Sequence, residues 1–101
     1  MPIPLAHEDL GSGAPWLFLH GFPLTRRMWE PQRPLAGHAR LVLPDLRGFG
    51  ASPARSPATM DAMAEDVLAL ADALGLERFG LAGFSMGGYV ALALHLSLIH
   101  I

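Results

Sequence analysis

The feature that most constrains the fold is the run 83–87, Gly-Phe-Ser-Met-Gly, in which two glycines flank a serine. An apolar run, 79–82, precedes it, and an apolar helical pattern follows directly. A serine between a strand and a helix must adopt a sparsely populated backbone conformation, which costs about 1–3 kcal/mol and persists only where the surroundings impose it. The pattern predicts a nucleophile elbow with Ser85 at its apex and at positive φ. Gly83 and Gly87 are then required because strand and helix approach too closely for side chains. The alternative is a chance match in a Gly-rich turn.

Composition limits the class of protein. The chain has 101 residues, a formal net charge of −2 and no cysteine. No basic patch indicates a nucleic-acid or membrane partner, and the lack of cysteine excludes a disulfide framework or a thiolate metal site. Residues 1–5 show neither the charged nor the apolar region of a secretory signal. The apolar run 89–101 is interrupted by His95 and His100 and is too short to cross a bilayer. We therefore expect part of one domain, located in the cytoplasm.

The last six residues, 96–101, differ from the rest of the chain. Two of the three isoleucines, Ile99 and Ile101, lie in the last three positions. The segment resembles the conceptual translation of a transposon-end adapter used for sequencing libraries. We expect residues 1–95 to belong to the domain and residues 96–101 to be a non-native tail; the alternative is that the last helix continues natively.

Short apolar runs alternate with helical patterns along the chain. We predict strands at 3–9, 16–19, 40–43 and 79–82. The unbroken apolar run 16–19 is typical of a strand buried on both faces, and we expect the strands at 40–43 and 79–82 to be buried in the same way. We predict a short, proline-limited helix over 28–35, a helix capped by Thr59 and ended by Gly75, and a last helix from Met86 to about His95. Asp61, Glu65 and Asp66 are placed near the positive end of the second helix. Strand–helix alternation predicts an α/β fold with a mostly parallel sheet.

Three motifs in this order resemble the N-terminal part of an α/β-hydrolase. They are His20-Gly21-Phe22-Pro23, the run 45–52 (Asp-Leu-Arg-Gly-Phe-Gly-Ala-Ser) and the run 83–88. Together they cover nearly the whole chain to about residue 95. Within that superfamily the chain is most similar to small esterases, enol-lactonases and cofactor-free perhydrolases. The resemblance implies an incomplete α/β-hydrolase fold, with flanking helices on a mostly parallel sheet.

The resemblance also implies roles for individual residues. Ser85 is the expected nucleophile, and the backbone N–H groups of Phe22 and Met86 are the expected oxyanion hole. The remaining motif residues are expected to shape the loops around the site: His20, Gly21, Asp45, Arg47, Gly48, Gly50, Gly83 and Gly87.

The acid and base of a catalytic triad are missing from this pattern. In the family the triad follows the order Ser, then Asp or Glu, then His, and no acidic residue follows Ser85. Asp45 precedes the serine, so we expect it not to be the triad acid. His20 is the histidine nearest the site, but the resemblance gives it a structural part, although a role as base stays open.

The resemblance implies a hydrolase of a small carboxylic ester or lactone that works through an acyl-enzyme. It implies no metal and no organic cofactor, and it leaves the oligomeric state open. An acyltransferase or a perhydrolase would use the same machinery. A hydrolase-like binding domain without catalysis is a further alternative. We expect the 101-residue chain by itself to be inactive.

Overall fold

The computed structural model describes residues 2–56 and 58–98. Four strands form one sheet: β1 (His7–Leu10), β2 (Pro15–Leu19), β3 (Arg40–Pro44) and β4 (Gly80–Gly83). Their spatial order is β1-β3-β2-β4, with β1 antiparallel to β3 and the other two pairs parallel. The predicted α/β fold with a mostly parallel sheet is confirmed.

Helices cover both faces of the sheet. The helices α1 (Met60–Ala73) and α2 (Met86–Leu98) lie against one face, and a 3-10 helix (Arg26–Gly37) lies against the other. The strands supply both cores by alternation, because successive side chains of a strand point to opposite faces. On the α1/α2 side the core includes Leu17, Leu19, Val42, Val67, Leu70, Val90 and Leu94. The smaller core beneath the 3-10 helix contains Phe18, Leu41 and Leu43.

Several predicted elements have different bounds or geometry. The first strand begins at His7 rather than at residue 3, although Ile3 and Leu5 are buried in the core. The predicted helix 28–35 is a longer 3-10 helix. Its internal prolines, Pro31 and Pro34, have no N–H to donate into a regular α-helical ladder. The last strand is shifted by one residue, to 80–83, because it pairs with β2 through to its final residue.

The predicted caps of α1 are present. The Thr59 side chain accepts a hydrogen bond from the Ala62 N–H at 3.0 Å, and Gly75 follows the helix at a φ of 72°. Asp61 lies in the first turn, as predicted. Asp66 lies in the next turn and points into the protein, where it is 1% exposed. Asp66 therefore lies in the N-terminal half of α1, and its burial is a feature that the sequence pattern did not predict.

The end of α2 bears on the tail hypothesis. The helix continues past His95 to Leu98. Residues 99–101 lie outside the described part of the chain, so the non-native origin of residues 96–101 stays a prediction. None of the helices within residues 2–56 and 58–98 is long and apolar enough to cross a membrane.

Candidate active site

Ser85 lies at the apex of a strand–turn–helix. The strand β4 ends at Gly83, α2 begins at Met86, and Ser85 between them has a φ of 54°. Within the described residues no other non-glycine residue has positive φ. Its side chain is exposed. The predicted elbow geometry is confirmed: the backbone is held in a left-handed conformation at Ser85, whose side chain is exposed to solvent.

The two flanking glycines are required by close backbone contacts. A Cβ atom on Gly83 would lie 2.5 Å from the Gly87 carbonyl oxygen, and a Cβ on Gly87 would overlap the Leu19 carbonyl oxygen. Cβ atoms in proteins do not approach other heavy atoms this closely. The atoms met here belong to the backbone, which cannot move aside as a flexible side chain can. The predicted close approach of strand and helix is therefore confirmed, and α2 is seated directly on the ends of β4 and β2.

The helix α2 begins directly after Ser85. The N–H of Gly87 donates to the Phe84 carbonyl at 2.9 Å, and that of Gly88 donates to the Ser85 carbonyl at 2.9 Å. Met86 is the first residue of the helix, and the first N–H groups of a helix have no acceptor within it. The positive end of the helix dipole lies at the same place. The positive end of the α2 dipole therefore lies next to Ser85 in the chain, a position that favours negative charge.

The loop after β2 lies at the same edge of the sheet as the elbow. The strands β2 and β4 are parallel neighbours, and the Phe84 N–H donates to the Leu19 carbonyl at 3.0 Å. Gly21 lies against Phe84, since a Cβ on Gly21 would be 2.9 Å from the Phe84 carbonyl oxygen. Phe22 follows and is 69% exposed. Its ring lies edge-on to that of Phe49, with the two ring centroids 5.8 Å apart. The predicted adjacency of the two turns is confirmed; a shared oxyanion hole stays a proposal.

His20 is fully buried and both of its ring nitrogens are engaged. Nε2 accepts the Leu46 N–H at 2.9 Å, so Nδ1 carries the proton and donates to the Gly21 carbonyl at 3.1 Å. Burial lowers the pKa of His20 below its ordinary value of 6.5, although the bond to Gly21 opposes this. With its acceptor nitrogen occupied by a backbone N–H, the ring cannot take a proton from Ser85 in this arrangement.

Asp45 is buried at the point where β3 leaves the sheet. Its Oδ1 accepts the Arg26 backbone N–H at 2.8 Å, and its Oδ2 accepts the Arg26 guanidinium and the Ala51 N–H. Gly50, at a φ of 54°, presses so closely on this carboxylate that a Cβ would overlap it. Asp45 thus joins the loop after β2 to the loop after β3, in line with the expectation that it is not the triad acid.

Arg47 forms a buried ion pair with Asp66 of α1. The guanidinium Nε and Nη2 donate to the two carboxylate oxygens at 2.8 and 2.7 Å, and the side chains are 3% and 1% exposed. Hydrogen bonding to Asp66 raises the pKa of Arg47. The Ile3 N–H donates to the same carboxylate at 2.9 Å. Gly48, at a φ of 83°, lets the loop turn away beyond this pair.

Sequence reasoning missed Arg26 and the burial of Asp66. The signal for Asp66 was present, because it shares a helical face with the buried residues Ala62, Met63 and Leu70. A carboxylate at such spacing needs a buried partner. Arg26 carried no comparable signal, since two adjacent arginines, Arg26 and Arg27, are a pattern typical of a solvent-exposed surface. Of the other histidines, His7, His38 and His95 are exposed, and His100 lies outside the described residues.

The fold and the elbow together define a class of protein. Residues 15–97 match the family described as alpha/beta hydrolase fold, and the chain belongs to this family. It corresponds to the N-terminal part of such a hydrolase and spans about a third of the length of the relatives that it matches.

Individual relatives differ in the reactions that their names state. The chain is 45% identical to the AB hydrolase superfamily protein YisY of Bacillus subtilis (strain 168), over 89% of this chain and 35% of that protein. It is 42% identical to a fluoroacetate dehalogenase from a Burkholderia species, over 77% of this chain and 28% of the relative. Among solved structures, a thermophilic esterase from Thermogutta terrifontis is 49% identical, with a TM-score of 0.90, over 93% of this chain and 36% of the esterase.

Proposed function

We propose that this chain is the nucleophile-bearing part of a serine hydrolase that cleaves a small carboxylic ester or lactone. The observation that carries the proposal is the exposed Ser85, held at a φ of 54° between β4 and α2. The Ser85 hydroxyl attacks the carbonyl carbon and forms a tetrahedral oxyanion. Collapse expels the alcohol and leaves an acyl-serine, which water then hydrolyses to the acid and free Ser85.

The backbone N–H groups of Phe22 and Met86 form the proposed oxyanion hole. The Met86 N–H is at the start of α2, and Phe22 lies on the adjacent loop, next to the Gly21–Phe84 contact. Donors placed where charge develops accelerate acyl transfer because they need no reorganisation in the transition state. Losing one such donor costs about 10²–10³ in kcat.

The base and the acid are proposed to come from sequence outside these 101 residues. No Asp or Glu follows Ser85 in the chain, and the His20 ring is held by Leu46 and Gly21. A histidine base oriented by a carboxylate is what a serine hydroxyl needs at neutral pH. Because the chain spans about a third of its relatives, the other two thirds are where we place these groups.

Ester or lactone cleavage is proposed over the other reactions of the family for two reasons. The elbow residue is a serine, whose acyl adduct is an ester that water can hydrolyse, and the Thermogutta terrifontis esterase is 49% identical over most of this chain. An acyltransferase or perhydrolase would form the same acyl-serine and pass the acyl group to an alcohol or to peroxide instead of water. Measuring the acyl acceptor separates these reactions.

The test uses a completed enzyme: residues 1–95 followed by the downstream sequence of their own gene or, in its place, by the remainder of the Thermogutta terrifontis esterase. We expect it to hydrolyse a short-chain p-nitrophenyl ester and expect Ser85→Ala to lower kcat by about 10⁴–10⁶. The matched control is Ser12→Ala, an exposed serine in the turn between β1 and β2, at the opposite edge of the sheet. Turnover unchanged by Ser85→Ala, or no turnover in the completed enzyme, would favour a binding domain.

A further inference from the structure

The loop 20–25 joins β2 to the 3-10 helix and carries the Phe22 N–H. At its start, the buried His20 ring accepts the Leu46 N–H at 2.9 Å. Just beyond its end, Arg26 donates its backbone N–H to Asp45 Oδ1 at 2.8 Å and its guanidinium to Oδ2. Both ends of the loop are therefore tied to the start of the segment that follows β3.

The Asp45 carboxylate is itself fixed on the opposite side. It is 1% exposed, and Oδ2 also accepts the Ala51 N–H at 3.0 Å. The Gly50 backbone lies directly against it, and the Asp45 carbonyl accepts the Ser52 hydroxyl at 2.6 Å. Within the described residues, the hydrogen bonds that this carboxylate accepts come from Arg26, next to the loop 20–25, and from Ala51, in the loop after β3. Asp45 can thus set the distance between them, since moving it would release donors on both sides.

We propose that Asp45 is a positioning residue: through Arg26, it holds the loop 20–25 where the Phe22 N–H can meet the oxyanion formed on Ser85. The inference rests on the proposed function. The Phe22 amide is four residues from Arg26, and a tight turn, with the Leu24 N–H donating to the Gly21 carbonyl at 2.8 Å, makes the segment short and stiff. A shift at Arg26 therefore reaches Phe22. Misplacement of a catalytic group by about 1 Å can cost on the order of 100-fold in rate.

Asp45→Asn in the completed enzyme tests this role, with Asp66→Asn as the matched control. Both carboxylates are 1% exposed, both are paired with an arginine, and both accept a backbone N–H. Asp66 contacts Arg47 and Ile3 but not the loop 20–26. In Asp45→Asn the new amide NH₂ must face a donor, either Arg26 or Ala51. Below the unfolding transitions of both variants, we expect Asp45→Asn to lower kcat by about 10–100-fold with KM changed less than about threefold. Asp66→Asn should leave kcat within about twofold.

Hydrogen exchange of the peptide covering 20–26 provides a readout that does not need turnover. We expect faster exchange there in Asp45→Asn and no change in Asp66→Asn. Arg26→Lys is a second variant. The Arg26 side chain is 24% exposed, and a lysine there keeps a positive charge next to Asp45. The kcat of this variant should fall between that of the wild type and that of Asp45→Asn. An equal loss of kcat in both Asn variants, or unchanged exchange in Asp45→Asn, would overturn the positioning role. An inactive completed enzyme in which exchange still rises would instead count against the proposed function.

Discussion

The His20 Nε2 atom accepts a hydrogen bond from the Leu46 backbone N–H at 2.9 Å, between residues 26 positions apart in the chain. The bond requires a neutral ring, because a protonated imidazole would place an N–H against an N–H. The same bond prevents the ring from acting as a base in this arrangement, because the Nε2 lone pair that would accept a proton already accepts the Leu46 N–H. The His20 ring is therefore a structural link between the ends of β2 and β3.

The first prediction concerns the pH dependence of stability. Burial lowers the pKa of His20 below 6.5 in the folded protein, so between that lowered value and 6.5 the unfolded chain binds more protons. The stabilisation by neutral His20 is complete above about pH 6.5 and is lost as pH falls toward the folded-state pKa, by up to about 1.4 kcal/mol per pH unit. Urea denaturation of the completed enzyme at pH values from 7.5 to 5 measures this loss in the free energy of unfolding.

His20→Gln is the control for this prediction. Its side-chain oxygen can accept the Leu46 N–H, yet it does not titrate. The difference in unfolding free energy between the wild type and His20→Gln should shrink as pH falls. Parallel pH curves for the two proteins would contradict the prediction.

The second prediction compares two adjacent glycines of α2. A Cβ on Gly87 would overlap the Leu19 carbonyl oxygen, whereas the nearest atom to a Cβ on Gly88 is 3.6 Å away. We expect Gly87→Ala to lower the free energy of unfolding by about 2–3 kcal/mol or more, because backbone meets backbone. Gly88→Ala should be neutral or stabilising by up to about 1 kcal/mol, from helix propensity. Chemical denaturation of both variants checks the contrast, and similar losses at both positions would refute the close packing of α2 on β2.

The third prediction concerns the buried pair Arg47–Asp66. Arg47→Met leaves the Asp66 carboxylate buried without its bidentate partner, and we expect a loss of about 3–5 kcal/mol. Adding Asp66→Asn removes the stranded charge and keeps an acceptor for the Ile3 N–H. The double variant should recover more than half of the loss. A double-mutant cycle by urea denaturation measures the coupling, and strictly additive losses would show that the two side chains act independently.

Local patterns in the sequence predicted the local parts of the site. The glycines around Ser85 predicted a positive φ and a helix start at Met86, and the Thr59 cap followed from the pattern after it. These features depend on neighbours within a few residues, which spacing encodes. The contacts of His20 with Leu46 and of Arg26 with Asp45 span 26 and 19 positions. They depend on the order β1-β3-β2-β4, which brings the ends of β2 and β3 together and which no local pattern specifies.

The last prediction concerns the 101-residue chain by itself. Within the described residues, β4 pairs only with β2, so its other edge is open, and an open apolar edge is a template for aggregation. Apolar side chains of α2 are also exposed, with Tyr89 at 68%, Leu92 at 55% and Leu96 at 48%.

The other face of the sheet is also incompletely covered. An apolar groove of about 290 Å³ lies beside the 3-10 helix and is lined by Trp16, Phe18, Leu35, His38, Ala39, Leu41 and Ala82. Trp16 is 41% exposed in this groove. Both faces and one edge of the sheet thus present apolar surface that a stable domain would bury.

We expect residues 1–101 alone neither to fold cooperatively nor to hydrolyse esters. Burial is worth about 25 cal/mol per Å² and a domain is stable by only about 5–15 kcal/mol, so a few hundred Å² of wet apolar surface removes most of the stability. The measurement is chemical denaturation and a p-nitrophenyl ester assay on the isolated chain, with the completed enzyme as the positive control. A soluble monomer with a cooperative transition would contradict the folding half of the prediction. Ester hydrolysis by the isolated chain that is lost in Ser85→Ala would contradict the other half. It would require His20 to leave Leu46 and serve as the base after all.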